Sequence, residues 1–248
     1  MTDPDAPTLG AVAPCPDAAV VMISRNEEGA IAKVIEDVRH AVPEAEVIVV
    51  DGSSDRTPEI AAAHGARVIR EPGGGAANAL VAALQASDRP LVATVDADNT
   101  YPAELLPSII ELARRGFDIV GTDRLGFGRP ATMPAANYIA NRVFNVIASI
   151  RARRRVRDVH SGMRAYRRAA IEEFRWDTRG LALPVDLLVW PVAAGLRVLE
   201  IPIEYRDRIG TTTLVRFPGT LWTLRRLLRP FPSGWHRGRH ERREWNRA

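Results

Sequence analysis

Asp96 and Asp98 stand one residue apart, just after the apolar run Leu91–Val95 and ahead of a helix opened by Pro102. Alternate residues of an extended segment point to opposite faces, but where a strand gives way to a loop both carboxylates can turn toward one site. With the oxygens of a bound diphosphate they make a hard, oxygen-rich site suited to Mg2+ or Mn2+. Asp51 ends a second buried run, Val47–Val50, and is followed by Gly52-Ser53-Ser54-Asp55. Gly52 permits a tight turn there, and the Asp51 carboxylate can accept a hydrogen bond from a nucleobase N–H or a ribose hydroxyl. Ser54 and Asp55 have a plainer role open to them, capping the next helix. Gly73-Gly74-Gly75 lacks the G-x-G-x-x-G spacing and does not follow the first strand. It reads as a flexible loop beside a ligand.

The elements that must position these groups follow from hydrophobic pattern. Short apolar runs at 19–23, 47–50, 67–70, 91–95 and 118–120 predict strands. Between them fall helical patterns at 30–40, from Thr57-Pro58 with Thr57 as cap, at 76–86 and at 102–115. Strands apolar on both faces, alternating with helices of about ten residues, imply a mostly parallel sheet covered on both sides. Ligands of such sheets sit beyond the carboxyl ends of the strands, where Asp51, Asp96 and Asp98 all fall. The second half predicts a helix at 135–150, an Arg-rich turn, the polar segment 158–164, a helix at 186–194 and a strand at 198–205. An amphipathic, Arg-studded segment spans 214–228, and no internal repeat is evident.

The chain has 248 residues, 46% hydrophobic and 26% charged, enough for a sizeable core and not the composition of a disordered protein. No uncharged apolar run approaches the roughly 18 residues that span a bilayer. The opening residues carry acidic and Pro positions and no apolar stretch, so no signal peptide is expected and the expected compartment is the cytoplasm. One cysteine, Cys15, excludes a disulfide framework within the chain. The formal charge is +4, yet residues from Arg225 onward carry eight Arg against Glu241 and Glu244, leaving the body slightly acidic. A basic end can be simply solvated, bind nucleic acid or meet anionic lipid; the first is ordinary for a terminus, and no nucleic-acid partner is expected.

In this order the motifs resemble the inverting family-2 glycosyltransferases of GT-A fold, particularly the dolichyl- or polyprenyl-phosphate mannose and glucose synthases. The matching pieces begin with Ser24-Arg25-Asn26-Glu27 and Val49–Asp55, then Asp96-Ala97-Asp98 with Tyr101-Pro102 and Glu104, and Gly121-Thr122-Asp123-Arg124. They continue with Asp158, Ser161-Gly162-Met163-Arg164-Ala165 and Glu200–Arg206 with Arg208 and Gly210. The likeness covers roughly residues 19–214. Departures are Val50 where the family often has a first aspartate, Thr100 where Gln is common, and Thr213-Leu214 in place of Ser-Lys.

The resemblance implies a single GT-A domain at 18–214, preceded by a flexible tail at 1–17 and followed by an amphipathic helix and basic tail at 215–248. It implies a nucleotide-sugar donor, of GDP-mannose or UDP-glucose type, held by the first half. Asn26, Glu27, Asp51 and Ser53 would meet its nucleoside, with Gly75 in the adjoining loop, and Asp96 and Asp98 would hold the diphosphate and its Mg2+ or Mn2+. Arg124 and Arg208 correspond to the family's phosphate-facing arginines, and Ser161 and Arg164 lie on the acceptor side. A hydroxyl acceptor requires a base, for which Asp158 and Asp186 are candidates. Each also has a structural role open to it, an ion pair for Asp158 and a helix cap for Asp186. A lipid monophosphate, already largely ionised at pH 7, needs no strong base. The expected acceptor is a polyprenyl or dolichyl phosphate, with peripheral contact expected at the inner face of the membrane. Segments 137–157 and 214–229 have two readings open: helices lying in an anionic headgroup layer, or 137–150 packed on the sheet and 214–229 packed as a terminal helix. The alternatives are a soluble small-molecule hydroxyl acceptor and a non-catalytic nucleotide-binding protein.

Overall fold

The computed structural model describes residues 14–172, 176, 178, 183–210 and 216–229, the side chains of 216–219 excepted. Seven strands form one sheet in the order β3-β2-β1-β4-β6-β5-β7. They are β1 (Ala18–Ser24), β2 (Glu46–Asp51), β3 (Arg67–Arg70), β4 (Leu91–Thr94), β5 (Ile119–Asp123), β6 (Arg164–Arg167) and β7 (Val198–Pro202). All neighbours pair in parallel except β6, which runs antiparallel between β4 and β5. The helices are α1 (Ile31–Ala41), α2 (Thr57–Ala63), α3 (Ala76–Gln85), α4 (Leu106–Arg114), α5 (Ala135–Ala152), α6 (Arg168–Ile171), α7 (Leu183–Ala194) and α8 (Arg216–Leu228).

Both faces of the sheet are covered because the helices carry apolar stripes at helical spacing. On one face α1 buries Ile31, Val34, Ile35 and Val38 with Leu106, Ile109 and Ile110 of α4. Each such side chain contributes about 1.5–3 kcal/mol on burial. The other face packs Ala77, Ala83 and Leu84 of α3 with Leu183 and Leu187 of α7. A third cluster joins α5, α7 and α8 through Phe144, Ala148, Leu188, Val189 and Leu227. This places α5 and α8 beyond the second half of the sheet.

Four details differ from the pattern. Strand β6 is not foreshadowed by any apolar run, because its four residues include Arg164 and Arg167 and only Ala165 and Tyr166 are apolar. Strand β7 ends at Pro202, not at Tyr205; the segment beyond it leaves the edge and becomes a loop. Arg56, not Thr57, occupies the cap position of α2, while Asp55 Oδ1 accepts from Thr57 N at 3.0 Å. Residues 14–17 are docked: Cys15 is buried and Asp17 Oδ1 meets Arg114 Nη2 at 2.6 Å. The rest of the expected N-terminal tail, Thr213-Leu214 and the basic end from 230 lie outside the described residues.

Candidate active site

Strand direction decides which side chains meet. Ser24, Asp51, Asp96, Asp98 and Asp123 follow or end parallel strands and so share one edge of the sheet. Because β6 is reversed, its lead-in Ser161-Gly162-Met163 arrives at the same edge. The loop after β7 returns there too, with Arg206 N bonded to Thr100 O at 2.9 Å and Ile209 N to Asp98 O at 3.0 Å.

Asp51 ties the first two loops together. Its Oδ1 accepts from Ser24 Oγ and Ser53 Oγ, each at 2.6 Å, and its Oδ2 from Ser53 N at 3.0 Å. Ser53 Oγ in turn accepts from Asn26 N at 2.8 Å, and Asn26 Oδ1 from Ser54 N at 2.9 Å. Asn26 has φ +58°, a left-handed conformation that Asn tolerates better than most side chains. Asp51 is only 1% exposed, so the carboxylate assigned to direct donor contact serves first to shape the loops that would hold a nucleoside. Gly75 joins them through Glu71, whose Oε1 accepts from Gly75 N at 3.1 Å.

Asp98 is buried, its Oδ1 accepting from Thr100 N at 3.1 Å and Thr100 Oγ1 at 2.6 Å. Thr100 thus braces the acid pair from the position where a Gln is usual. Arg208 Nη1 meets Asp98 Oδ2 at 2.6 Å, and its Nη2 pairs with Glu27 Oε1. Burial, opposed by the Arg208 charge, pushes the Glu27 carboxyl up to about 7. Asp96 is half-buried, and among the described residues no donor hydrogen-bonds to it. Burial, then the charge of Asp98, push its carboxyl well above the usual carboxylate range. Two adjacent carboxylates, one of them lacking a donor, suit a divalent cation. No cluster of three His, Cys, Asp or Glu that could hold a metal occurs among the described residues, so the other ligands would come from diphosphate and water.

Two neighbours of Asp96 carry roles that sequence reasoning missed. A Cβ on Gly162 would lie 2.4 Å from Asp96 Oδ1, so only glycine allows this approach. Gly162 is pinned on both sides, its N donating to Tyr101 Oη and its carbonyl accepting from Thr94 Oγ1, both at 2.6 Å. Glycine and tyrosine within a motif carry no spacing signal that would announce this.

Arg124 and Asp158 form a closed unit. Arg124 Nε and Nη2 reach Asp158 Oδ2 and Oδ1 at 2.7 and 2.9 Å, and Arg124 N and His160 N add bonds of 3.1 and 3.2 Å. Burial opposes ionisation of Asp158, but the Arg124 charge and bonds outweigh it and hold the carboxyl below its ordinary value. With four donors on a fully buried carboxylate, Asp158 is placed as the ion-pair partner of Arg124. Tyr205 supports the guanidinium from one side, its ring centroid 5.4 Å from Arg124 Cζ and 5.3 Å from the Tyr101 ring.

Three other expectations meet the structure as follows. Ser161 is buried at the shared edge, its Oγ 2.6 Å from Thr122 Oγ1. Arg164, expected on the acceptor side, is fully buried and donates to Pro184 O at 2.7 Å and Val159 O at 2.9 Å, so it braces the core. Asp186, in the first turn of α7, is buried against Arg226 of α8, Nε to Oδ2 2.7 Å. It joins two helices.

His160 lies under α8, Nε2 2.9 Å from Thr223 Oγ1 and its ring edge-on to Phe144. Burial, then the Arg124 charge, lower its pKa to about 4. The unfolded chain therefore takes up this proton below about 6.5, and the folded chain only near 4. Stability is full above that range and is lost as pH falls through it, by at most ~3 kcal/mol. Urea unfolding at pH 7.5 and 4.5 is expected to show this loss in the native chain and a smaller one in His160→Gln. Equal losses in both would contradict it.

The sequence model of Glycosyl transferase family 2 matches residues 19–175. The dolichyl-phosphate hexose transferase of Haloferax volcanii is 45% identical over 204 residues, covering 82% of this chain and 89% of that protein. The polyprenol monophosphomannose synthase of Mycolicibacterium smegmatis is 26% identical, covering 79% and 80%. A crystal structure of glucosyl-3-phosphoglycerate synthase from Mycobacterium tuberculosis, solved with Mn2+, UDP and phosphoglyceric acid, matches with a TM-score of 0.69 at 22% identity. It covers 86% of this chain and 79% of that one, a likeness of fold. With its edge of converging carboxylates and arginines on a GT-A sheet, the chain belongs to glycosyl transferase family 2 and is a glycosyltransferase.

Proposed function

We propose that the protein transfers a hexose from a nucleoside-diphosphate sugar to a polyprenyl or dolichyl phosphate, with inversion, at the surface of an anionic membrane. The observation that carries this is the fate of the two candidate bases: Asp158 and Asp186 are both spent in buried ion pairs. A hydroxyl nucleophile needs a base within reach, whereas a phosphate monoester, with its second pKa near 6, is already ionised. The named relatives act on dolichyl and polyprenyl carriers, which supports the same acceptor class.

In this reading the acceptor phosphate oxygen bonds to the anomeric carbon as the bond from that carbon to the diphosphate breaks, the diphosphate leaving with the electron pair. Asp96 and Asp98 would hold Mg2+ or Mn2+, which when bound neutralises charge on the departing diphosphate. Arg124 and Arg208 bring guanidinium groups that stay charged throughout, and the fixed Asp158 pair orients Arg124 before the substrates arrive. Glu27 holds the other side of Arg208.

The surface supports a membrane-bound acceptor. Ile139, Val143, Val146 and Ile150 form an exposed stripe along α5, Ile150 being 71% exposed, and Leu221, Leu224 and Leu228 form another on the adjoining α8. Arg153, Arg154 and Arg155 stand exposed at the end of α5. Apolar stripes rimmed by arginine suit a headgroup layer of anionic lipid. No helix among the described residues is long and apolar enough to cross a membrane.

Incubation with Mn2+, GDP- or UDP-hexose and a short polyprenyl phosphate is expected to release nucleoside diphosphate only when the lipid phosphate is present. The protein is expected to float with anionic liposomes at low salt, and Ile139→Asp with Ile150→Asp to sink. Release driven by a soluble hydroxyl acceptor, with none from the lipid phosphate, would contradict the reading.

A further inference from the structure

The end of β3 lies along the same sheet edge as the acid pair. Neighbouring strands lie about 4.8 Å apart. With Asp96 and Asp98 at the end of β4, the order β4-β1-β2-β3 places the ends of β1, β2 and β3 about 5, 10 and 14 Å along the edge. In the other direction the edge is filled by the Ser161–Thr122 hydroxyl pair and the Arg124–Asp158 unit. A nucleoside diphosphate anchored at the acid pair would extend over β1, with its base at the ends of β2 and β3.

The carboxylates at that place are Asp51 and Glu71. Asp51 is committed to Ser24 and Ser53. Glu71, directly after β3, lies across the Gly52 backbone: a Cβ on Gly52 would be 2.0 Å from Glu71 Oε2. Glu71 Oε1 accepts from Gly75 N at 3.1 Å, while Oε2 has no hydrogen bond among the described residues. Arg70, the neighbouring cation, directs Nη1 to Ser53 O at 3.4 Å.

From this placement we propose that Glu71 selects guanine, so that the donor is a GDP-sugar. Guanine presents an N1–H and a 2-amino group side by side, two parallel donors for one carboxylate. Uracil presents a single N3–H between two carbonyls, one of which would face a carboxylate oxygen. Adenine and cytosine offer an amino group beside a bare ring nitrogen, with the same conflict. The inference rests on the acid pair being the diphosphate site.

Calorimetry of GDP, UDP and ADP binding to the full chain with Mn2+ tests it, using wild type and Glu71→Gln. The Gln carbonyl can still accept from Gly75 N, so the loop is preserved and the ratio of affinities is the readout. GDP is expected to bind at least tenfold more tightly than UDP, and Glu71→Gln to shrink that ratio by about 5- to 150-fold, the range for one bidentate base contact. Equal affinities, a preference for UDP or ADP, or a ratio unchanged by Glu71→Gln overturns the guanine assignment alone. Failure of every nucleoside diphosphate to bind overturns it together with the donor-site reading beneath it.

Discussion

Asp158→Ala is expected to lower the unfolding free energy by about 3–5 kcal/mol and to abolish sugar transfer. The variant leaves the Arg124 guanidinium, whose side chain is 11% exposed, without the carboxylate that balances it. A buried ion pair adds little compared with an apolar pair, but removing one member strands the other charge in a poor solvent, which sets the size of the loss. Asp158→Asn keeps the shape and part of the hydrogen bonding. It is expected to fold and to lose roughly 100-fold in turnover, because Arg124 is no longer held in one orientation. Urea unfolding of both variants, with turnover of the second, checks this. A loss under 1 kcal/mol in Asp158→Ala, or wild-type turnover in Asp158→Asn, would contradict it.

Gly162→Ala should leave the fold nearly intact and reduce transfer by at least ~100-fold. The added methyl would stand 2.4 Å from Asp96 Oδ1 and 2.8 Å from its carboxyl carbon, so one of them must move. Gly162 is fixed by Thr94 and Tyr101, and Asp96 has no hydrogen bond to resist displacement among the described residues. The carboxylate therefore yields, and with Asp96 in its proposed role at the metal this is expected to cost rate far more than stability. Gly29→Ala is the control: its Cβ would meet nothing closer than 3.9 Å, and activity is expected to persist. Thermal unfolding beside turnover separates the two. Wild-type activity in Gly162→Ala would remove Asp96 from the site.

The sheet and the acid pair were legible because both are local patterns. Apolar runs of four or five residues mark β1, β2 and β4, and each ends in a carboxylate or hydroxyl that strand direction carries to one edge. What pairs with what was not legible. Asp158 meets Arg124 across 34 residues, and Asp186 meets Arg226 on a different helix; at sequence level each is a carboxylate near several arginines. Arg164 shares a motif with Ser161 and Gly162, yet it opens β6 and is buried against Pro184 O and Val159 O, while Gly162, in the lead-in before the strand, lies against Asp96. Strand β6 itself escaped because its environment, not its residues, makes it a strand: it fills the gap between β4 and β5. The same holds for Glu71, an ordinary acidic residue before a glycine run until the fold lays it over Gly52.

The central claim, that residues 96 and 98 hold a divalent cation at a departing diphosphate, is tested most directly by electron paramagnetic resonance of Mn2+ with a nucleoside diphosphate, alongside turnover. A bound-manganese signal is predicted in the native protein, and loss of both signal and turnover in Asp98→Ala. Turnover in that variant equal to wild type, or undiminished turnover of the native protein in excess chelator, would contradict the claim.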